Sequence, residues 1–201
     1  MKNKSTFNAS TIVVLFASIT MFISSCQKDD SLITPMQSST ETMAKSLPPS
    51  VPANLAVPAG NEIAFHAYAT GVQIYTCAQT SPGVYAWVFT APEATLYANA
   101  GFNGNGVGTH YVGPTWESNS GSKVVGTKLA AATVDATAIP WLLLGAVSSQ
   151  GPGVFEGVTY IQRVNTVGGK APASGADAST LGQQARVPYT AEYFFFRPES
   201  I

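Results

Sequence analysis

The chain has only two histidines, His66 and His110, so acid–base or metal chemistry near neutral pH would centre on one of them. His110 sits in the segment Gly108-Thr109-His110-Tyr111-Val112-Gly113-Pro114-Thr115-Trp116-Glu117. Glycine, proline, aromatics and titratable groups crowd together there. In a strand His110 shares a face with Val112, opposite Tyr111. Pro114 then bends the chain and lets Glu117 return toward His110. A His–Glu pair of this kind can move protons or bind a metal. The same residues serve equally as a structural hydrogen bond tying a loop to a sheet. Trp116 adds a flat aromatic, so His110, Trp116 and Glu117 form the candidate ligand site. His66 lies in a strand pattern and reads as a half-buried side chain with a backbone partner.

Arg163 is a second candidate, since it interrupts the otherwise apolar pattern Ile161-Gln162-Arg163-Val164. A buried guanidinium wants a carboxylate, and Glu93, Glu117 or Asp177 could supply one as a structural ion pair. Other chemistry lacks its motif. No HxH, HxxxH or CxxC spacing is present, so no metal site is expected. Ser122 has no glycine two residues on, so there is no nucleophile elbow. No cofactor is expected.

From Glu62 onward, apolar residues recur with period two, as strands require. Ile63, Phe65, Ala67 and Ala69 fall on one face and His66 and Tyr68 on the other. Gly71 breaks the run. Gln73, Tyr75 and Cys77 then oppose Val72 and Ile74. Ser81-Pro82-Gly83 reads as a turn, and Tyr85, Trp87 and Phe89 alternate again. Further strands are expected at 108–112, 123–127, 158–164 and 189–196. The apolar run 141–147 fits a buried strand or a short helix. About eight short strands with frequent turns predict an all-β fold, a single antiparallel sandwich or barrel. The composition agrees: 18 Gly and 13 Pro lie between aromatic and β-branched runs. Charged residues are 10% against a usual figure of about 25%, and the net charge is −1. Without a basic patch, nucleic acid is not an expected partner.

The N-terminus predicts export. Lys2 and Lys4 precede the apolar run Thr11–Ile23, which is too short for a comfortable span of about 20 residues. Ile23-Ser24-Ser25-Cys26 resembles the lipobox of bacterial lipoproteins. The resemblance implies cleavage after residue 25 and a lipid on Cys26, with the membrane as partner through that lipid. Gln27-Lys28-Asp29-Asp30 is similar to the export signal of Bacteroidetes-type surface lipoproteins, implying an outer-membrane protein displayed on the cell surface. The organisation is then a signal peptide (1–25), a Ser/Thr/Pro-rich tether (26–52) and one domain (53–201).

The segments GVQIYTC (71–77), HYVGPTWE (110–117), GSKVVG (121–126), AIPWLLL (138–144), IQRVNTVGGKAP (161–172) and VPYTAEYFFF (187–196) resemble the DUF3455 family of secreted or lipid-anchored proteins. The resemblance covers about residues 55–198 and carries no established activity. Some fungal members bear a malate dehydrogenase label. Here Gly101-Phe102-Asn103-Gly104-Asn105-Gly106 has the wrong spacing for a dinucleotide fingerprint. The family pattern implies a second cysteine near residues 173–177, bridging to Cys77. This chain has Ala173-Ser174-Gly175-Ala176-Asp177 instead, so Cys77 is expected to be a buried free thiol. The function expected is a surface-displayed binding domain for a glycan, a small molecule or another envelope ligand. The alternatives are an enzyme using the His110/Glu117 pair and a structural envelope protein.

Overall fold

A strand that buries one face and wets the other alternates apolar and polar side chains, and eight such strands build the domain. They are β1 (Asn61–Ser81), β2 (Val84–Tyr97), β3 (Gly108–Tyr111), β4 (Thr115–Ser118), β5 (Lys123–Ala132), β6 (Trp141–Gln150), β7 (Tyr160–Gly168) and β8 (Gln184–Pro198). The computed structural model describes Leu47 and residues 49–200. The expected signal peptide, Cys26 and most of the expected tether lie outside the described residues.

Every strand pairs antiparallel with its chain neighbours, and β1 also pairs with β8. The sheet therefore closes into an up-and-down barrel, which decides between the two architectures expected. The run at 141–147 is strand β6.

Gly71 does not break the first strand. A Cβ at this position would lie 2.1 Å from the Glu93 carbonyl oxygen and 2.5 Å from the Ala94 Cα. The residue marks a close approach of β1 to β2 rather than a strand end. Ile63 also departs from expectation. A bulge between Ile63 and Phe65 turns it outward, away from Phe65, Ala67 and Ala69.

Small residues on β1 and β2 make room inside the barrel for large ones on β4 and on β8, the strand paired with β1. Ala67, Ala69, Gly71 and Ala94 line β1 and β2, while Trp116, Tyr189, Tyr193 and Phe195 project from β4 and β8. One end of the tube is plugged by aromatics. Phe155, from the loop between β6 and β7, meets Phe195 at 4.7 Å and Phe65 at 5.7 Å between ring centroids. The opposite end is ringed by the β1–β2 hairpin, the β3–β4 turn and the β5–β6 and β7–β8 loops.

A second apolar cluster lies outside the barrel. Val164, Phe194 and Phe196 are covered there by Val51, Val57, Trp141 and Tyr160. The segment before β1 is pinned across this wall, with Gln162 Nε2 donating to the Leu55 carbonyl at 2.7 Å. Charged side chains also stud the outer wall, among them Glu93, Glu117, Lys123 and Arg186. Apolar inside and charged outside is the reverse of a barrel that spans a bilayer.

Candidate functional site

The β3–β4 hairpin turns at Val112-Gly113-Pro114, with Gly113 at φ 103°. This register sets His110 directly opposite Trp116. Both side chains point into the barrel, 3% and 1% exposed. Their rings stack at 4.3 Å and 8°, and Tyr193 meets both edge-on. His110 Nδ1 lies 2.8 Å from the Thr115 carbonyl. A carbonyl only accepts, so Nδ1 carries the proton and Nε2 keeps its lone pair. Burial pushes the imidazole pKa down to about 3, against a smaller upward pull from Thr115, and nearby Arg163 lowers it further. His110 is therefore neutral at physiological pH.

Glu117 does not join this pair. One position beyond Trp116, it points outward. It accepts from the Tyr111 hydroxyl at 2.5 Å and pairs with Lys123 at 3.0 Å. The Tyr111 bond, then Lys123, hold its carboxyl below the usual range. The expected convergence thus holds for His110 and Trp116 and fails for Glu117.

The expected ion pair of Arg163 is absent as well. Glu93 pairs with Arg186 at 2.6 Å on the outside, and Glu117 with Lys123. Asp177 caps a short 3-10 turn, accepting from the Ser179 and Thr180 amides. Those bonds, Ser179 first, depress its pKa. Arg163 instead donates through Nε and Nη2 to the Pro140 carbonyl, at 3.2 and 2.8 Å. His66 has a side-chain partner rather than a backbone one. Its Nε2 lies 3.1 Å from Glu192, and its ring stacks on Phe194 at 3.9 Å. Burial lowers its pKa against the pull of Glu192.

Above the His110–Trp116 stack the interior opens into a cavity of about 520 Å³ at the unplugged end of the tube. Ile139, Leu142 and Leu144 give it an apolar wall, and Arg163 and Tyr193 continue the lining in register beside Leu142, on β7 and β8. Gln73, on the inner face of β1 with Tyr75 and Cys77, completes the polar side. The lining holds no Asp or Glu. Several buried polar atoms here make no hydrogen bond of full geometry: Gln73 Nε2, Trp116 Nε1 and the Tyr193 hydroxyl, with the Tyr189 hydroxyl between Gln73 and Tyr193. Burial raises the pKa of both tyrosines. Sequence reasoning missed Gln73, Tyr189 and Tyr193. Gln73 carried a signal, as an amide on a face otherwise given to Tyr75 and Cys77.

The remaining tryptophans lie apart from this cavity. Trp87 donates to the Ser174 carbonyl at 3.0 Å, and Trp141 packs in the outer cluster. The three indoles thus share no exposed face for stacking on a sugar. Cys77 is a buried free thiol, 1% exposed. Its Sγ lies 3.7 Å from the Asp177 carbonyl, against the segment where the family resemblance implied a second cysteine.

Neither the curated proteins nor the solved structures contain a match to this chain. A family model described as a protein of unknown function matches residues 58–197, a span that includes all the strands lining the cavity, and the chain belongs to that family, DUF3455.

Proposed function

We propose that the domain is a non-enzymatic binding protein of the cell envelope that takes a small, largely apolar molecule into the open end of its barrel. The observation that carries this reading is the 520 Å³ cavity walled by Ile139, Leu142 and Leu144. Its volume lies within the range of about 300–1,000 Å³ usual for small-molecule sites, and its mix of apolar wall and few polar groups is typical of them. An eight-stranded barrel is just wide enough to hold one small ligand. Exposed Val88, Phe89, Val112, Leu129 and Val134 collar the same end, so a ligand entering there meets apolar surface first. Acid–base catalysis finds little support, because a pKa of about 3 makes the buried His110 imidazole a weak base at neutral pH and no carboxylate lines this cavity.

The lipobox-like segment supports a lipid anchor on Cys26, and Lys28-Asp29-Asp30 supports surface display. The binding test is uptake of the neutral dye Nile red, read by fluorescence. Ala131 stands at the cavity mouth, cross-strand from Leu142. Ala131→Trp should block uptake at unchanged melting temperature. Undiminished uptake in that variant, or none in the native protein, rejects the proposal.

A further inference from the structure

We propose that the cavity is built for a ligand with an acidic end, a carboxylate held by Arg163, Gln73 and Tyr193 against an apolar body lying along Leu142 and Leu144. This rests on the reading that the barrel holds a small molecule, and it names that molecule's class.

The argument begins with a cation that has no counterion. Arg163 is half-buried on the inner face of β7 and, among the described residues, joins no ion pair. The carboxylates nearest in the sheet are engaged on the outer wall: Glu93 with Arg186, Glu117 with Lys123, Glu192 with His66. A buried charge without a partner is costly. Two of the five donors on the guanidinium fork are used, both on the Pro140 carbonyl.

The neighbouring polar groups point the same way. Gln73 is 2% exposed and Tyr193 0%, yet Gln73 Nε2 and the Tyr193 hydroxyl make no hydrogen bond of full geometry, their polar neighbours being Tyr189, which lies beside both, and Arg163, which lies beside Tyr193. Buried polar groups are normally paired, so those left open in a cavity mark where a ligand's atoms belong. Arg163 also acts electrostatically on Tyr193 and His110, which places its charge among them. An amide N–H, a phenol O–H and a guanidinium together form a donor-rich pocket, and a carboxylate is an acceptor-only group with two oxygens to share. With no Asp or Glu in the lining, nothing within the cavity repels such a group. The rest of the wall is mostly apolar, with Lys128, Thr90 and His110 among its other polar members, and that calls for a hydrocarbon body.

The experiment titrates the protein with decanoate, decanol and decylamine by calorimetry, beside the Nile red assay. Decanoate should bind about ten- to hundredfold more tightly than decanol, the worth of a charge-assisted bond in a sheltered site. Decylamine should bind most weakly. Arg163→Met keeps the apolar stem of the side chain and should bring decanoate down to the affinity of decanol, with decanol unchanged. Equal binding of decanoate and decanol to the native protein overturns the inference, and this comparison does not depend on any variant folding. A decanoate preference that survives in Arg163→Met also overturns it. Nile red uptake without decanoate binding rejects the acidic end and leaves the binding reading standing. Exclusion of Nile red and all three probes overturns both.

Discussion

His110 makes the stability of the barrel depend on pH, and the dependence can be worked out. In the native state the imidazole is 3% exposed and has a pKa of about 3. In the unfolded chain it takes its ordinary value of about 6.5. Below pH 6.5 the unfolded state therefore binds a proton that the native state refuses. Stability from this group is complete above pH 6.5 and falls as the pH drops toward 3. Each unit costs about 1.36 kcal/mol, so the loss at pH 5 is about 2 kcal/mol. That corresponds to about 4–8 °C in melting temperature for a domain of this size. The value at pH 5 depends on the unfolded pKa alone, provided the native one lies well below 5. His110→Phe keeps a ring against Trp116 and removes the titration. It also loses the bond to the Thr115 carbonyl, a pH-independent cost of about 1–3 kcal/mol. The assay is urea unfolding of both proteins at pH 8, 6.5 and 5. The gap between them should close by about 2 kcal/mol between pH 8 and 5, most of it below pH 6.5. His66 and the outer carboxylates are common to both proteins and cancel. Parallel curves over that window would falsify the placement of His110 as a buried neutral imidazole.

Glu117→Gln should leave Nile red uptake unchanged, because the carboxylate faces Tyr111 and Lys123 outside the barrel; lost uptake would contradict that. Gly71→Ala should destabilise by about 1–3 kcal/mol, since its Cβ would lie 2.5 Å from the Ala94 Cα. A melting temperature equal to the native protein's would show that β1 and β2 can move apart. Cys77 should react with a thiol reagent only on unfolding, and a Cys77-linked dimer on a non-reducing gel would refute its burial. Cys26→Ser should abolish incorporation of a fatty-acid analogue in cells; undiminished label would reject the lipid anchor.

Most strands were legible because their alternation is local; β4, four residues long, was not expected, since its sequence reads as part of the bend after Pro114. The convergence of His110 and Trp116 was legible too, through the turn at Gly113-Pro114. The same hairpin register shows why Glu117 was misplaced. A turn that sets residue 110 against 116 leaves 117 one step on, and one step in a strand changes the face. Arg163 was rightly read as a cation in an apolar setting. Its surroundings could not be read, because they come from β1, β6 and β8, which meet only when the ring closes. Closure itself rests on the pairing of β1 with β8, and no local pattern announces it. Gly71 was read as a strand end because the sequence shows a missing side chain but not the neighbouring backbone that requires it.

The seam between β1 and β8 has a further consequence, for how the chain comes together. It brings His66 to Glu192, 126 positions apart. β1 is synthesised first and pairs early with β2, but its other edge stays open until the last strand is made. Such long-range pairing is slow, on the order of milliseconds to seconds. Through that interval a strand of 21 residues offers unpaired amides and carbonyls to any extended segment nearby. The competitor of matching sequence is the β8 of another copy. The characteristic assembly error of this domain is therefore an exchange of C-terminal strands between two chains, each ring completed by the other's last strand.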